Sequence, residues 1–432
     1  MKSFVLLLFL LSTFADAELL AQKLYFPPVS QTATWETTSP EQLGWCSDKI
    51  DSLYSFLDKE NSRAFIVLKD GKIVLEKYFG TFTKDSAWYW ASAGKSLTSF
   101  LIGKAQEEGL LSINDKSSKY LGKGWTSLTP EQEDKITILN QINMTSGLDD
   151  KVQDNHCLLD TCLTYKADAG TRWAYHNAPY TLLEKVIESA TGKKINAYTQ
   201  SKLFGKTGIT GLWATLNNDN VFFSKARSFA RYGLLFQNDC IWDKDTMLAD
   251  KNYINASTNT SQNLNLSYGY LWWLNGKASY MIPTLQIVFK GTLAPNAPAD
   301  MFAGIGKNGQ IVSVSKSKGL VMVRMGEAPS YAGDVSITLV DSIWKKLNLA
   351  MCSENSIETE IANNSLNIYP NPSQDYIQIE NYSGIVSIYN TIGSKIIEII
   401  IQANEMIDIK QLPQGQFFLV TANGKLLSFS KD

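Results

Sequence analysis

The sequence predicts a large α+β domain, in which helices flank an antiparallel sheet around a helical insert, followed by a small β-sandwich. Three observations carry that expectation. Near the N-terminal end, Phe65 to Tyr78 alternates apolar and polar residues around Asp70-Gly71, the pattern of a β-hairpin. Far along the chain a meander follows from Met301 into Gly306, turns at Asn308-Gly309, and continues through Ile311 to Val314 and Leu320 to Met325. Between these two blocks, apolar residues recur at helical rather than strand spacing.

Each element has its own local warrant. Lys2, the apolar run from Phe4 to Phe14 and the small residues Ala15-Asp16-Ala17 read as a cleaved secretory signal over residues 1–17, with Ala21 a second candidate cleavage site. Ser47 and Asp48 are candidate N-caps for a helix running to about Lys59. Trp88, Tyr89 and Trp90 form an aromatic strand leading into Ser92, and Leu97, Phe100 and Leu101 mark an amphipathic helix from Ser92 to Ala105. Helical spacing returns from Tyr180 to Ala190 and from Lys225 to Phe236; strands are expected at Tyr268 to Leu274 and Leu285 to Lys290. A last helix is expected from about Val335 to Leu347. Residues 353–365 are polar and acidic without periodicity, as in a linker, and residues 366–432 alternate in short strands separated by turn residues, the pattern of the sandwich. The expected division is therefore 1–17 signal, 18–352 catalytic domain, 353–365 linker and 366–432 terminal domain.

Composition narrows the function. The 432 residues carry a formal net charge of −2, with 44% hydrophobic and 11% aromatic residues, which suits a folded chain with a large core. No basic stripe offers itself to nucleic acid, and no segment after the signal is long enough to span a membrane. With five cysteines in an exported chain, Cys157 and Cys162 either close a small surface loop or stand as two thiols, and the odd total leaves at least one thiol free or paired between chains.

The chemistry has to be built almost without histidine. His156 and His176 are the two histidines, so a zinc site made mainly of histidine is excluded and no cofactor is implied. The G-x-S-x-G elbow fails at Ser92, because Trp90 replaces its first glycine. Lysine can serve instead. Ser92 opens a predicted helix with Lys95 a turn later on the same face, and a desolvated lysine can accept the serine proton. The same S-x-x-K spacing starts at Ser313, Ser315, Ser342 and Ser428, but two of these lie in a strand pattern, one lies mid-helix and one lies in the terminal domain. A second element is Tyr175-His176-Asn177 in a predicted loop: a phenol that can relay protons and a carboxamide that can bind both lysine and a substrate carbonyl, with His176 expected to point away. A third is Gly304-Ile305-Gly306-Lys307, where glycines let a substrate approach and leave N–H groups for an oxyanion. The aromatics Trp88, Tyr89, Trp90 and Trp173 are read either as pocket lining or as core.

This ordered triple of S-x-x-K, Y-x-N and glycine strand resembles the β-lactamase family of serine hydrolases, in its class C and esterase branch, over residues 40 to 350. Thr145-Ser146-Gly147-Leu148 and the helix from Tyr180 to Gly192 are similar to further segments of that family. The resemblance implies a β-lactamase/transpeptidase-like fold with a helical subdomain. It also implies that Ser92 is acylated, Lys95 and Tyr175 act as general base and acid, and Asn177 orients the substrate. The N–H groups of Ser92 and Lys307, beside Gly306, would form the oxyanion hole. One departure stands out. Antibiotic-hydrolysing members carry Lys or His and then Thr-Gly on the last strand, where Gly304-Ile305-Gly306 stands here, so the resemblance points to ester or amide hydrolysis of a small molecule or peptide. A non-catalytic sensor on the same fold, or a surface binding protein displayed by the tail, is the alternative.

The tail resembles the C-terminal sorting domain of the type IX secretion system, on Leu366-Asn367-Ile368-Tyr369-Pro370-Asn371-Pro372, Val386 to Gly393, Leu412-Pro413-Gln414-Gly415 and the closing Ser430-Lys431-Asp432. That implies a Bacteroidetes-type bacterium, the type IX machinery as partner, and a secreted or cell-surface location.

Overall fold

The structure is a computed structural model describing residues 24–30, 32–329, 335–352, 366–391, 394–421 and 426–432. The expected signal and linker lie outside the described residues. The larger part of the chain is built on a six-stranded antiparallel sheet. Its strands are β1 (Ser62–Lys69), β2 (Lys72–Tyr78), β6 (Trp273–Leu274), β7 (Phe302–Gly306), β8 (Gln310–Ser315) and β9 (Leu320–Gly326), in the order β2-β1-β9-β8-β7-β6. A second sheet joins β3 (Ala87–Tyr89), β4 (Leu212–Leu216) and β5 (Asp219–Lys225) in the order β3-β5-β4.

Strands β8 and β9 are buried at every position, which requires cover on both faces. Helix α5 (Ala226–Gln237) covers one face so closely that a Cβ at Gly233 would lie 2.4 Å from Val321 Cγ1 and 3.0 Å from Val312 Cγ2. The next residue along β8 points the other way, and there Ser313 Oγ accepts a hydrogen bond from Trp344 Nε1 of α6 (Ile337–Ala350) at 3.1 Å. Helix α1 (Ser47–Lys59) packs against α6, burying Ile50, Leu53 and Leu57 at helical spacing. Cys46 caps α1 and is disulfide-bonded to Cys352, so the two ends of this part of the chain are stapled together. The N-cap is therefore Cys46 rather than Ser47 or Asp48. The hairpin, the meander and the expected helices otherwise fall where periodicity put them, within a few residues.

Two expected strands shrink. Of Tyr268 to Leu274 only β6 pairs with the sheet, because Leu271 turns into the left-handed region (φ 62°) and Asn265 Oδ1 accepts from the backbone N–H groups of Ser267 and Met281. Of Leu285 to Lys290 only Phe289–Lys290 pairs, with Ser279–Tyr280. The hairpin β4–β5 was not expected. Its turn residue Asn217 has φ 55°, but the Phe222-Phe223 pair blurs the alternation that would have marked the strand.

The terminal part has its own apolar core, including Ile377, Val386, Ile388, Ile407, Leu419 and Phe429. It consists of a three-stranded sheet (Ile368–Tyr369, Tyr376–Ile379, Met406–Asp408) and a four-stranded sheet (Lys395–Ile401, Gly384–Asn390, Gly415–Thr421, Leu426–Lys431), the small sandwich that the alternation predicts.

Candidate active site

The turn carrying Ser92 is held from behind by aromatic packing. Trp90 is fully buried, stacks on Phe229 with ring centroids 4.0 Å apart, and donates from Nε1 to Ser224 Oγ at 2.7 Å. Its backbone N–H also donates to Phe222 O at 2.8 Å. Ala91 then adopts φ 46°, a left-handed conformation that an L-residue with a Cβ enters only at an energetic cost. A 3₁₀ turn follows over Ala91–Gly94, and helix α2 begins at Lys95 and ends at Glu107. Ser92 therefore stands in the tight turn before the helix rather than on it. The i to i+3 eclipse of a 3₁₀ turn still brings Ser92 and Lys95 to one side. Helix α2 is buried continuously from Lys95 to Gly103 instead of on a single face.

The glycine strand explains itself by contact. A Cβ on Gly306 would lie 2.6 Å from Trp90 O, 2.8 Å from Ala93 N and 2.9 Å from Ser92 N, and one on Gly304 would lie 3.0 Å from Ala93 O. Only glycine lets β7 run this close to the Ser92 turn, so Lys307 emerges beside it. Arg324 supports that end of the strand from beneath, donating to Asn308 O at 2.8 Å and Gly309 O at 2.7 Å.

Lys95 is buried, and burial pushes its ammonium down to about 7, with only Asp219 pulling the other way by charge. Its Nζ donates to Asn177 Oδ1 at 3.0 Å and lies 3.5 Å from the centre of the Tyr180 ring and 5.4 Å from that of Tyr175. The aromatic faces favour the charged form and so moderate the effect of burial. Tyr175 is itself buried, stacked on Trp273 at 5.8 Å. Asn177 opens helix α3 (Asn177–Thr181), which runs on into α4 (Leu183–Thr191).

Ser92, Lys95, Tyr175, Asn177 and Lys307 line one cavity of about 620 Å³. Gly306 is not among its lining residues; it works from behind, through its approach to the Ser92 backbone. Of the four aromatics near the motifs, only Tyr89 reaches the cavity, where its hydroxyl accepts from Asn308 Nδ2 at 2.7 Å. Trp90 and Trp173 are core, and Trp88 donates to Gly326 O at 3.2 Å. Arg172, three residues before Tyr175, pairs with Asp150 at 2.6 Å. His176 is buried outside the cavity, its imidazole pushed down to about 4 by desolvation.

Motif reading missed much of the rest of the wall. Asp154, Asn155, His156, Tyr180 and residues 216–221 of the β4–β5 hairpin also line the cavity. His156 Nδ1 lies 2.8 Å from Asp219 Oδ1, and its Nε2 lies 3.2 Å from Asn177 Nδ2. The available signal was His156 standing directly before Cys157, whose disulfide to Cys162 closes the expected small loop. Cys240 is the buried free thiol. Among the described residues no group of three or more His, Cys, Asp or Glu could hold a metal ion, and no helix is long and apolar enough to cross a membrane.

Comparisons with known proteins follow this geometry. A family model described as β-lactamase matches residues 58–334, and one described as a secretion system C-terminal sorting domain matches residues 367–431. A Salmonella typhi protein provisionally named D-alanyl-D-alanine carboxypeptidase is 23% identical over 214 residues, covering 40% of this chain and 49% of its own. The chain thus spans about half the length of the curated relatives it matches. In fold it is similar to a Bacillus anthracis protein provisionally called a 6-aminohexanoate-dimer hydrolase (TM-score 0.56, 16% identity, covering 76% of this chain and 89% of that one). It is also similar to the octameric penicillin-binding protein homologue of Pyrococcus abyssi (TM-score 0.53, 15% identity, 89% and 96%). At these identities the structural likenesses speak to fold alone.

Proposed function

The chain belongs to the β-lactamase family of serine hydrolases, and on that premise we propose that it cleaves an ester or amide bond through an acyl-enzyme on Ser92. Its type IX sorting domain marks it for secretion or display at the cell surface. We assign the hydrolase to residues 18–352, the linker to 353–365 and the sorting domain to 366–432.

One observation carries the reading: a serine in a strained turn shares a cavity with a buried lysine whose ammonium is pushed down to about 7. At neutral pH a substantial fraction of Lys95 is then the free amine, a base matched to its task. Ser92 Oγ attacks the substrate carbonyl while its proton passes to the Lys95–Tyr175 pair. The tetrahedral oxyanion is held by the N–H groups of Ser92 and Lys307. The same pair returns the proton to the departing alcohol or amine as the carbon–leaving-group bond breaks. Water then adds to the ester of Ser92, giving up its proton by the reverse route, and the carboxylic acid leaves. Asn177 holds Lys95 in place and offers its carboxamide to the substrate. Lys307, exposed at the cavity mouth, gives the site a cation beyond the strand on which β-lactam-hydrolysing relatives carry theirs.

The test is intact-mass analysis after a fluorophosphonate, on the wild type and on Ser92→Ala. One adduct on the wild type and none on the variant is the expected result. A folded wild type that takes up no adduct ends the enzyme reading. A panel of p-nitrophenyl esters, anilides and nitrocefin then ranks substrates, with esters or amides expected ahead of the β-lactam.

A further inference from the structure

The motif residues account for one side of the cavity; the other side is a chain of hydrogen bonds with a fixed polarity. Asn177 Oδ1 accepts from Lys95 Nζ, so its amide nitrogen must point away, and there it meets His156 Nε2 at 3.2 Å and Asn155 Oδ1 at 3.5 Å. A carboxamide N–H can only donate. His156 Nε2 must therefore be an acceptor, which leaves the imidazole neutral with its proton on Nδ1. That proton has a receiver, Asp219 Oδ1 at 2.8 Å. The polarity from Asp219 through His156 and Asn177 to Lys95 thus has one consistent assignment.

The backbone holds the imidazole in this arrangement. The N–H of His156 donates to Asp154 Oδ1 at 2.9 Å, and the N–H of Cys157 donates to Asp154 O at 3.1 Å. The N–H of Ala178, next to Asn177, donates to Asn155 O at 3.0 Å. The Cys157–Cys162 disulfide closes the loop immediately beyond. On the far side Asp219 begins β5, the strand that pairs with β3 and so leads back to Ser92.

We propose that His156 and Asp219 are positioning residues for acyl transfer, fixing the Asn177 carboxamide with its oxygen toward Lys95. The inference rests on the hydrolase reading above. Without a neutral His156 only the longer 3.5 Å contact to Asn155 Oδ1 keeps the carboxamide oxygen on Lys95; once turned, the amide N–H would face the ammonium as a second donor or tie up the lone pair of the free amine. The other ionisable groups around this unit are Asp154 on the His156 loop, Lys307 at the end of β7, Tyr175, Tyr180 and, behind the wall, His176.

The experiment measures fluorophosphonate labelling rate, kcat and KM for p-nitrophenyl butyrate, and the pH profile, on the full chain and on His156→Phe, His156→Gln and Asp219→Asn. His156→Phe should lower the labelling rate and kcat by about tenfold to a hundredfold with little change in KM, as misplacement of a catalytic group does. Its acid limb should move to lower pH, because Lys95 loses an acceptor that favours its charged form. His156→Gln offers Oε1 where Nε2 stood and should recover most of the rate. Labelling, kcat and acid limb of His156→Phe all within twofold or a few tenths of a pH unit of the wild type overturn the proposal, as does a glutamine variant no better than phenylalanine. If His156→Phe does not fold, Asp219→Asn decides on rate alone, measured at a pH above the acid limb, because losing its charge moves that limb in any case: labelling and kcat slowed about tenfold or more at unchanged KM support the proposal, and rates within twofold of the wild type overturn it. A wild type that takes no label ends the hydrolase reading and this inference together, a result distinct from a labelled wild type with an indifferent His156.

Discussion

Lys95 at the floor of the cavity and Arg324 in strand β9 are both buried cations, held in opposite ways. Arg324 spends its donors on Ser62 Oγ and the carbonyls of Glu60, Asn308 and Gly309. Burial brings its guanidinium down only to about 10, so it stays charged at neutral pH. Among the described residues Lys95 has one oxygen acceptor, Asn177, and otherwise aromatic faces, and it comes down to about 7. Burial alone does not make a base. What separates the two is first intrinsic, since a guanidinium starts at 12.5 and an ammonium at 10.5; to that the fold adds more acceptors around Arg324 than around Lys95, which is kept short of them where a base is useful.

The largest effect that would sharpen this contrast is on chemistry. Lys95→Met should slow fluorophosphonate labelling of Ser92 by about 10³-fold, whereas Arg324→Met should leave the labelling rate of the folded fraction within about tenfold, since it acts only through the turn after Lys307. A mild Lys95→Met defect would remove lysine from the proposed mechanism.

Stability should divide the other way. Arg324→Met removes the guanidinium bonds to Ser62 Oγ and to the carbonyls of Glu60, Asn308 and Gly309, of which Asn308 O keeps Gln310 Nε2 as a donor at 3.3 Å, and should cost about 4 kcal/mol in urea unfolding. A loss under 1 kcal/mol would mean that those groups find other partners.

Lys95→Met, by contrast, should stabilise the chain near pH 6: relieving the buried charge is worth about 5 kcal/mol at most, offset by about 1–3 kcal/mol for the Asn177 oxygen left without its donor. Because the folded ammonium titrates near 7 and the unfolded one near 10.5, the unfolded state binds more protons across that window. The cost of burying the charge is thus full below pH 7 and fades as pH rises toward 10. The advantage of the methionine variant should shrink over the same range, and urea midpoints at several pH values measure it. A constant difference would assign the gain to packing instead of charge.

The smallest effect concerns the strained turn. Ala91→Gly accepts φ 46° without its Cβ but frees the unfolded chain, so melting should change by less than about 1 kcal/mol. Acylation that falls noticeably in this variant would show that the strain itself aims Ser92.

Local pattern carried much of this protein. The Asp70-Gly71 hairpin, the meander through Gly306 and the tail sandwich follow from alternation and turn chemistry, which act over a few residues. Ser92 with Lys95, and Tyr175 with Asn177, are short motifs for the same reason, and the structure places all four in one cavity. Neighbours distant in sequence decided what local pattern left open or did not mark. Trp90 and Trp173 look the same in sequence as pocket aromatics and are core, because helix α5 covers one and β6 the other. Asp219 belongs to a hairpin whose alternation is blurred, so nothing local marked it.

What the sequence determined by itself is the first hairpin, the late meander, the main helices, the terminal sandwich and the chemical type of the motif residues, because propensity, periodicity and spacing are written within a few turns of chain; the secretion tail was legible through its resemblance to a sorting domain. What only the tertiary structure decided is how far burial lowers each cation, which brings Lys95 to about 7 and so into the range of a base at neutral pH. Lys95 and Arg324 differ in the acceptors brought to them by strands and loops far away in the chain. The polarity of the Asp219–His156–Asn177–Lys95 line exists only once four separate segments meet around one cavity.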